Sequence, residues 1–386
     1  MESTSQLPLI ECEDNHGSPK YFSRVTIPAA LFLISLFGIM SNVSGIMMSR
    51  SMPSFPAWLL YGTAIMYTTG FWLLALVWDK PLRPSQLKWA CQRYFLQLAV
   101  LTTAKGVLLQ FSTYWVDSSM GQILANFALL QLPFFERIFI PSRKSDYMKK
   151  SQIAGLLIVL CGIAIGVESI FQRLLNGLSN GIVSSEQADK WYWIVMFILS
   201  TTFNAWEQTL QDVALHSDTD ITEMSCLAWY NLYSIPMYIL FIPLEGIRLL
   251  NGTEKWTPLT SVFGNQKMAF LCFFGIPSEG DIIAGICQSG STIWPLIYCV
   301  GYTGLFCIST YMIKKYGVLF PNLIAANVSL CSIVVFMIPA IVSPQHASDF
   351  SVWPIVGSVI IIAGIIMKGE PSKKIKKHNI IDIQDL

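Results

Sequence analysis

Runs of about 20 predominantly apolar residues recur along this chain, separated by shorter polar segments. A helix needs about that length to cross a hydrocarbon core roughly 30 Å thick. Ten runs are read, at 26–49, 56–78, 92–114, 119–139, 151–168, 191–214, 224–243, 293–313, 321–342 and 351–368. They predict an all-α integral membrane protein with ten transmembrane helices, five on each side of residue 180.

The two halves repeat a pattern. Ile123-Leu124-Ala125-Asn126-Phe127-Ala128-Leu129 lines up with Ile324-Ala325-Ala326-Asn327-Val328-Ser329-Leu330, and Gly155 and Gly162 line up with Gly357 and Gly364. Duplication inside apolar helices predicts a five-plus-five inverted repeat with a solute site between the halves. The chain then divides into an N-terminal tail (1–25), a first five-helix repeat (26–168), a connection (169–190), a second repeat (191–368) with a long loop (244–292), and a basic C-terminal tail (369–386).

The sequence is 53% apolar and 13% charged, with a mean hydropathy of +0.52, so a water-soluble domain is not expected. Basic residues such as Lys80, Arg83, Arg143, Lys144, Lys149, Lys150, Lys314, Lys315, Lys373 and Lys374 fall on one face of the ten-helix topology. They outnumber those of the other face by about threefold, which places both termini in the cytoplasm. Residues 1–20 are acidic and lack the basic and apolar regions of a cleaved signal, leaving the first helix as its own insertion signal. The net charge of +1, spread and not striped, argues against nucleic acid as a partner. The four histidines lie outside the apolar runs without metal-ligand spacing, and no phosphate-cradling glycine loop is present. The expectation is no enzyme, no metal and no cofactor.

The loop 244–292 is too long to be structureless, and Gln266–Gly275 is expected to form a short interfacial helix. It also carries Cys272 and Cys287 on the non-cytoplasmic side, where a disulfide can form; the alternative is two thiols packed at the membrane surface. Asn251, in Asn251-Gly252-Thr253, is the candidate glycosylation site.

In the sixth run, Asn204, Glu207, Gln208, Gln211 and Asp212 fall at i, i+3, i+4, i+7 and i+8, on one helical face. A carboxylate at mid-membrane costs about 2.5–3.5 kcal/mol, so such residues face a wet cavity or a partner. Glu207 is the deeper; Asp212 lies near the cytoplasmic end, where the headgroup region would also hold it. Either could take a proton on one side of the membrane and lose it on the other, which makes both candidates for proton coupling. Lys105 is the basic residue deep in a span, able to pair with Glu207 or Asp212, to contact a solute, or to run its stem toward an interface. Asn42, Gln122, Asn126 and Asn327 give the first, fourth and ninth helices uncharged hydrogen-bonding positions, some of them packing contacts; Pro133 and Pro339 can open the backbone nearby. The glycine pairs are read as packing sites.

These residues resemble the chloroquine-resistance-transporter-like family of the drug/metabolite transporter superfamily. The likeness runs through Ser118-Ser119-Met120-Gly121-Gln122 with Gln131-Leu132-Pro133, Gln211-Asp212-Val213-Ala214-Leu215 followed by Asp218-Thr219-Asp220-Ile221, and Cys272-Phe273-Phe274-Gly275. It implies a vacuolar or lysosomal membrane protein that exports small cationic or zwitterionic solutes, such as amino acids, short peptides and drug-like bases, from an acidic lumen with protons. It also implies a place for Asp212 where the family has a glutamate, Asn42 on a cavity-lining helix, and a Cys272–Cys287 disulfide. Gln211 departs from the family, where a basic residue is often found. The expected partners are a small solute, protons and the lipid bilayer, with a monomer favoured. The rival expectations are a nucleotide-sugar, purine or other metabolite carrier, and a non-transporting scaffold or receptor. Anionic substrates need cavity cations that the ninth run lacks, and a scaffold has no reason to bear a buried Glu207.

Overall fold

Inside a bilayer the backbone finds no water to bond, so an apolar run closes its hydrogen bonds locally as a helix. The computed structural model describes residues 27–52, 54–78, 84–113, 115–140, 150–179, 185–217, 221–246, 258–276, 291–338 and 351–368. These are helical apart from short turns at the helix ends and junctions, with no strand among them. The helices are α1 (Ile27–Ser51), α2 (Pro56–Trp78), α3 (Trp89–Thr113), α4 (Ser118–Ala125), α5 (Ala128–Phe139), α6 (Lys150–Ser179), α7 (Ser185–His216), α8 (Glu223–Leu240), α9 (Leu259–Phe273), α10 (Ile293–Tyr316), α11 (Leu319–Phe336) and α12 (Val352–Lys368); a 3₁₀ turn, Ile242–Gly246, follows α8.

Six segments among the described residues are long and apolar enough to cross a membrane: Ala29–Ser51, Pro56–Trp78, Trp89–Thr113, Lys150–Glu168, Glu223–Gly246 and Ile293–Lys315. The chain thus has the make-up of a multi-pass membrane protein. The other four expected spans differ. The fourth is divided into α4 and α5, the sixth is the long polar-striped α7, and the ninth and tenth are the shorter apolar stretches Pro321–Phe336 and Val352–Lys368. α6 and α7 also reach through much of 169–190, which the sequence reads as a connection.

The division of the fourth span has local causes. At Asn126 and Phe127 the ladder tightens, with Asn126 N donating to Ile123 O (3.1 Å) and Phe127 N to Leu124 O (2.9 Å), while the Asn126 side chain bonds back to Gln122 O (3.0 Å). Six residues on, Pro133 has no N–H to give Leu129 O. The buried Lys368 at the end of α12 supplies the missing donor, its Nζ lying 3.3 Å from that carbonyl.

The most extensive helix pairings are α6 with α12, α1 with α10, α3 with α7, and α2 with α8. The α6–α12 seam is built on glycine. A Cβ added at Gly155 would stand 2.6 Å from Gly364 O, and one at Gly162 would stand 2.7 Å from Gly357 O. Small residues let membrane helices approach backbone to backbone, the packing role their spacing suggests. The largest core cluster joins Phe71, Phe95, Leu98, Ile123, Trp193, Ala205 and Tyr230 across α2, α3, α4, α7 and α8.

The loop helix α9 begins earlier than Gln266, directly after Pro258, whose fixed φ suits a helix start. It lays Ala269, Cys272 and Phe273 against Met48, Met52, Phe55 and Leu59 at the ends of α1 and α2. A buried relay holds it there: Tyr61 Oη donates to Gln266 (3.0 Å), Gln266 Nε2 donates to Glu245 (2.6 Å), and Glu245 accepts from Ala57 N (2.6 Å), capping α2. Cys272 is buried, and its expected partner Cys287 lies outside the described residues, as do Asn251, Pro339 and both tails.

Candidate functional site

A cavity of about 340 Å³ lies among α1, α3, α4, α7, α10 and α11, a size ordinary for small-molecule sites. Its lining includes Asn42, Lys105, Gln122, Asn126, Asn204, Gln208 and Gln211, which puts most of the sequence-derived candidates around one space. Tertiary contact joins them in cross-helix pairs. Asn42 Nδ2 donates to Gln122 (2.9 Å) from α1 to α4, Asn322 Nδ2 to Gln208 (2.7 Å) from α11 to α7, and Gln211 Nε2 to Thr310 (3.0 Å) from α7 to α10. Each amide keeps further hydrogen-bonding capacity for a ligand.

Glu207 sits behind the lining. Its side chain is 3% exposed and lies 2.5 Å from Lys105 Nζ, which at 12% exposure stands between it and the open space. Thr102 Oγ1 donates to the other carboxylate oxygen at 2.8 Å. The Lys105 ammonium also lies 5.4 Å from the centre of the Phe306 ring, within cation–π range. The spacing of α3 and α7 alone could not choose between Glu207 and Asp212 as the partner of Lys105. Packing does, because the α3–α7 contact brings Lys105 level with Glu207, more than a helical turn from Asp212.

Asp212 is fully buried but away from the cavity lining. It faces His216, whose Nδ1 is 3.0 Å from its carboxylate and 2.9 Å from its carbonyl oxygen, while His216 Nε2 donates to Lys314 O at 2.9 Å. Nearby, Lys314 Nζ is 3.1 Å from the Glu223 carboxylate. This cluster links the ends of α7, α8 and α10. Burial draws the His216 pKa down, but its bonds to Asp212 and the Lys314 carbonyl outweigh that and leave it raised above 6.5. Both ring nitrogens face acceptors, so the imidazolium is the form that fits. A raised folded-state pKa gives stability that is present in full below the unfolded value and is lost as pH rises through the folded one. The melting temperature of the wild type should therefore exceed that of a His216→Gln/Asp212→Asn double variant most at mildly acidic pH. The gap should close on the alkaline side, as thermal unfolding in detergent at a series of pH values would show.

Asn327 is exposed, its side chain bonded back to Leu323 O at 3.0 Å, and it does not line the cavity. The lining positions of α11 are Pro321, Asn322, Ala325, Val328 and Ser329, against Ser118, Gly121, Gln122 and Ala125 of α4, Asn126 just after it and Leu129 of α5. The cavity faces correspond one residue out of step with the sequence match of Asn126 to Asn327. One residue turns a helical position by about 100°, enough to carry Asn327 to the outer surface.

The sequence reading passed over the aromatic wall. Tyr298, Tyr302 and Phe306 line the cavity from α10 at i, i+4 and i+8, with ring centroids 5.5 Å and 4.2 Å apart. Their spacing was the available signal, but aromatic stripes in apolar helices are common enough that only the cavity singles this one out. Arg50 Nη2 also donates to Ser118 at 2.6 Å, at the non-cytoplasmic end of the expected topology.

No family model and no curated protein matches the chain. One solved structure, described only as a crystal structure of a protein, is similar with 14% identity and a TM-score of 0.47, over 88% of this chain and 97% of that one; likeness at that level carries no functional argument.

Proposed function

We propose that this protein is a proton-coupled secondary transporter of small zwitterionic or cationic solutes, built as ten transmembrane helices in a five-plus-five inverted repeat. The observation that carries this reading is the Lys105–Glu207 pair, buried at the wall of a largely apolar cavity that carries several side-chain amides and is enclosed by helices of both halves. An ion pair at that depth is costly to bury, which is the reason to assign its charges a function.

The helix pairings support the repeat. If each half supplies five spans, α1 corresponds to α7, α3 to α10, α4 and α5 to α11, and α6 to α12. The α1–α10 contact then mirrors α3–α7, the α6–α12 seam lies on the axis, and the Asn42–Gln122 bond mirrors Gln208–Asn322. Divided helices beside a central cavity are also what inverted-repeat carriers use at their solute sites.

In this reading Glu207 carries the coupling proton, and the Asp212–His216 and Lys314–Glu223 contacts close the cytoplasmic end. Because Glu207 neutralises Lys105, the cavity suits a solute of little net negative charge better than a nucleotide sugar. The likeness to the chloroquine-resistance-transporter-like family favours an acidic vacuolar or lysosomal membrane with cytoplasmic termini.

Uptake of labelled amino acids and short peptides into proteoliposomes, with and without a pH gradient, tests the proposal. Gradient-driven uptake should fall to the level of empty liposomes in Glu207→Gln. Asp212→Asn should keep some uptake, since its carboxylate lies off the cavity. Transport indifferent to both the gradient and Glu207→Gln would leave a facilitator and remove the coupling.

A further inference from the structure

We infer that Lys105 is the carboxylate anchor of the solute site, and that a docked solute carboxylate takes Lys105 from Glu207, which then accepts the proton. The inference rests on the transport reading and narrows it to solutes that carry a carboxylate.

Access decides the polarity. Lys105 lines the cavity and Glu207 does not, so an entering group meets the ammonium first. A simple amine would be repelled by Lys105 before it reached Glu207. A carboxylate meets a cation already holding a carboxylate at 2.5 Å, on a four-carbon stem that can swing between the two. The Phe306 face, 5.4 Å from Nζ, keeps the ammonium over the cavity during that exchange. The other charged lining residue, Asp117, is exposed at the start of α4, where it caps the backbone of Ser119 (2.9 Å) and Met120 (3.3 Å).

The same exchange couples the proton. The titratable groups around Glu207 are Lys105 from α3, Cys226, Tyr230 and Tyr238 from α8, and Tyr302 from α10, while Asp212 on its own helix is turned toward His216. Lys105 is the cation among them. When it leaves, Glu207 keeps the Thr102 hydroxyl but no opposite charge, and a buried carboxylate in that position becomes neutral by taking up a proton from cavity water. One solute carboxylate and one proton enter together, and the Lys105 charge stays balanced throughout. Solute binding should therefore tighten as pH falls.

Equilibrium binding of labelled alanyl-alanine and alanyl-alaninamide to the full-length protein in nanodiscs tests this. Wild type is expected to prefer the free acid by about tenfold or more, the effect of a charge-assisted hydrogen bond, and to bind it more tightly at acidic than at neutral pH. Glu207→Gln should keep the acid preference and lose the pH dependence. Lys105→Met, if it folds poorly with Glu207 unpaired, is replaced by the Lys105→Met/Glu207→Gln double variant, which should bind acid and amide alike. Equal binding of acid and amide by the wild type, no binding of either, or an acid preference surviving in the double variant would overturn the anchor. Gradient-driven uptake that treats acid and amide alike would overturn it while leaving the transport reading standing. Acid-selective binding without any gradient-driven uptake would instead sink proton-coupled transport.

Discussion

Lys105→Met is expected to destabilise the protein by about 3–5 kcal/mol, toward the lower end of that range, because it strands the buried Glu207 charge. The lower end follows from the partial exposure of Lys105, since cavity water can reach the vacated position and screen Glu207. Adding Glu207→Gln should restore most of the loss. A neutral amide can still accept from the Thr102 hydroxyl, which lies 2.8 Å from the carboxylate, and no ion remains to solvate. Denaturant or thermal unfolding of the two single variants and the double variant, arranged as a cycle, measures the coupling directly. A double variant no more stable than Lys105→Met would mean that the loss came from packing of the lysine stem and not from the charge.

The second large effect belongs to the seam between α6 and α12. Gly357→Ala would put a methyl group 2.5 Å from Gly162 O and 2.7 Å from the Gly166 Cα, and both neighbours are backbone that cannot rotate away. Separating two helices to admit it should cost about 3 kcal/mol or more, at or beyond the upper end for overpacked sites, because contacts on both sides of the seam are lost together. Gly264 in α9 provides the contrast. A Cβ there meets nothing within 4 Å, so Gly264→Ala should be neutral or stabilising by about 0.5–1 kcal/mol from helix propensity alone. Monodispersity and melting temperature of the two variants in detergent would check the pair, and a Gly357→Ala protein as stable as wild type would mean that the seam is looser than its geometry.

The difference between the two glycines shows how far a sequence can be read. The seven-residue spacing of Gly155 with Gly162, and of Gly357 with Gly364, marks each pair as a packing face, because small residues at helical intervals serve close approach. Nothing in either pair says that the two faces meet each other, in opposite directions. Similarly, the i, i+3, i+4, i+7, i+8 stripe on α7 identifies Asn204, Glu207, Gln208, Gln211 and Asp212 as one face, but that face is shared out in space. Asn204, Gln208 and Gln211 look into the cavity, Glu207 turns toward α3, and Asp212 turns toward His216 and the end of α10. A stripe about 100° wide can touch three neighbours, and which neighbour receives which residue is a property of the bundle.

The fourth helix illustrates the opposite failure. Its apolar run reads as one span because hydropathy averages over the whole window, whereas Asn126 and Pro133 act on single hydrogen bonds. The repair of the Leu129 carbonyl by Lys368, some 240 residues away in the chain, has no local trace. Likewise, the match of Asn126 to Asn327 aligns residue types, but the cavity faces of α4 and α11 correspond one position away, which brings Asn322 to the wall and leaves Asn327 outside.

What the sequence determined by itself is whatever depends on neighbours along one helix: the helical class, the apolar runs, the glycine packing faces and the polar stripe. These follow from backbone hydrogen bonding and the 3.6-residue period, which act over a few residues. The tertiary structure alone decided that Lys105 pairs with Glu207 and that His216 reaches the Lys314 carbonyl, that Asn322 and not Asn327 lines the cavity, and that Lys368 bonds the Leu129 carbonyl Pro133 leaves open. Each of those outcomes depends on the relative height and rotation of helices far apart in the chain, set by close packing across the whole bundle.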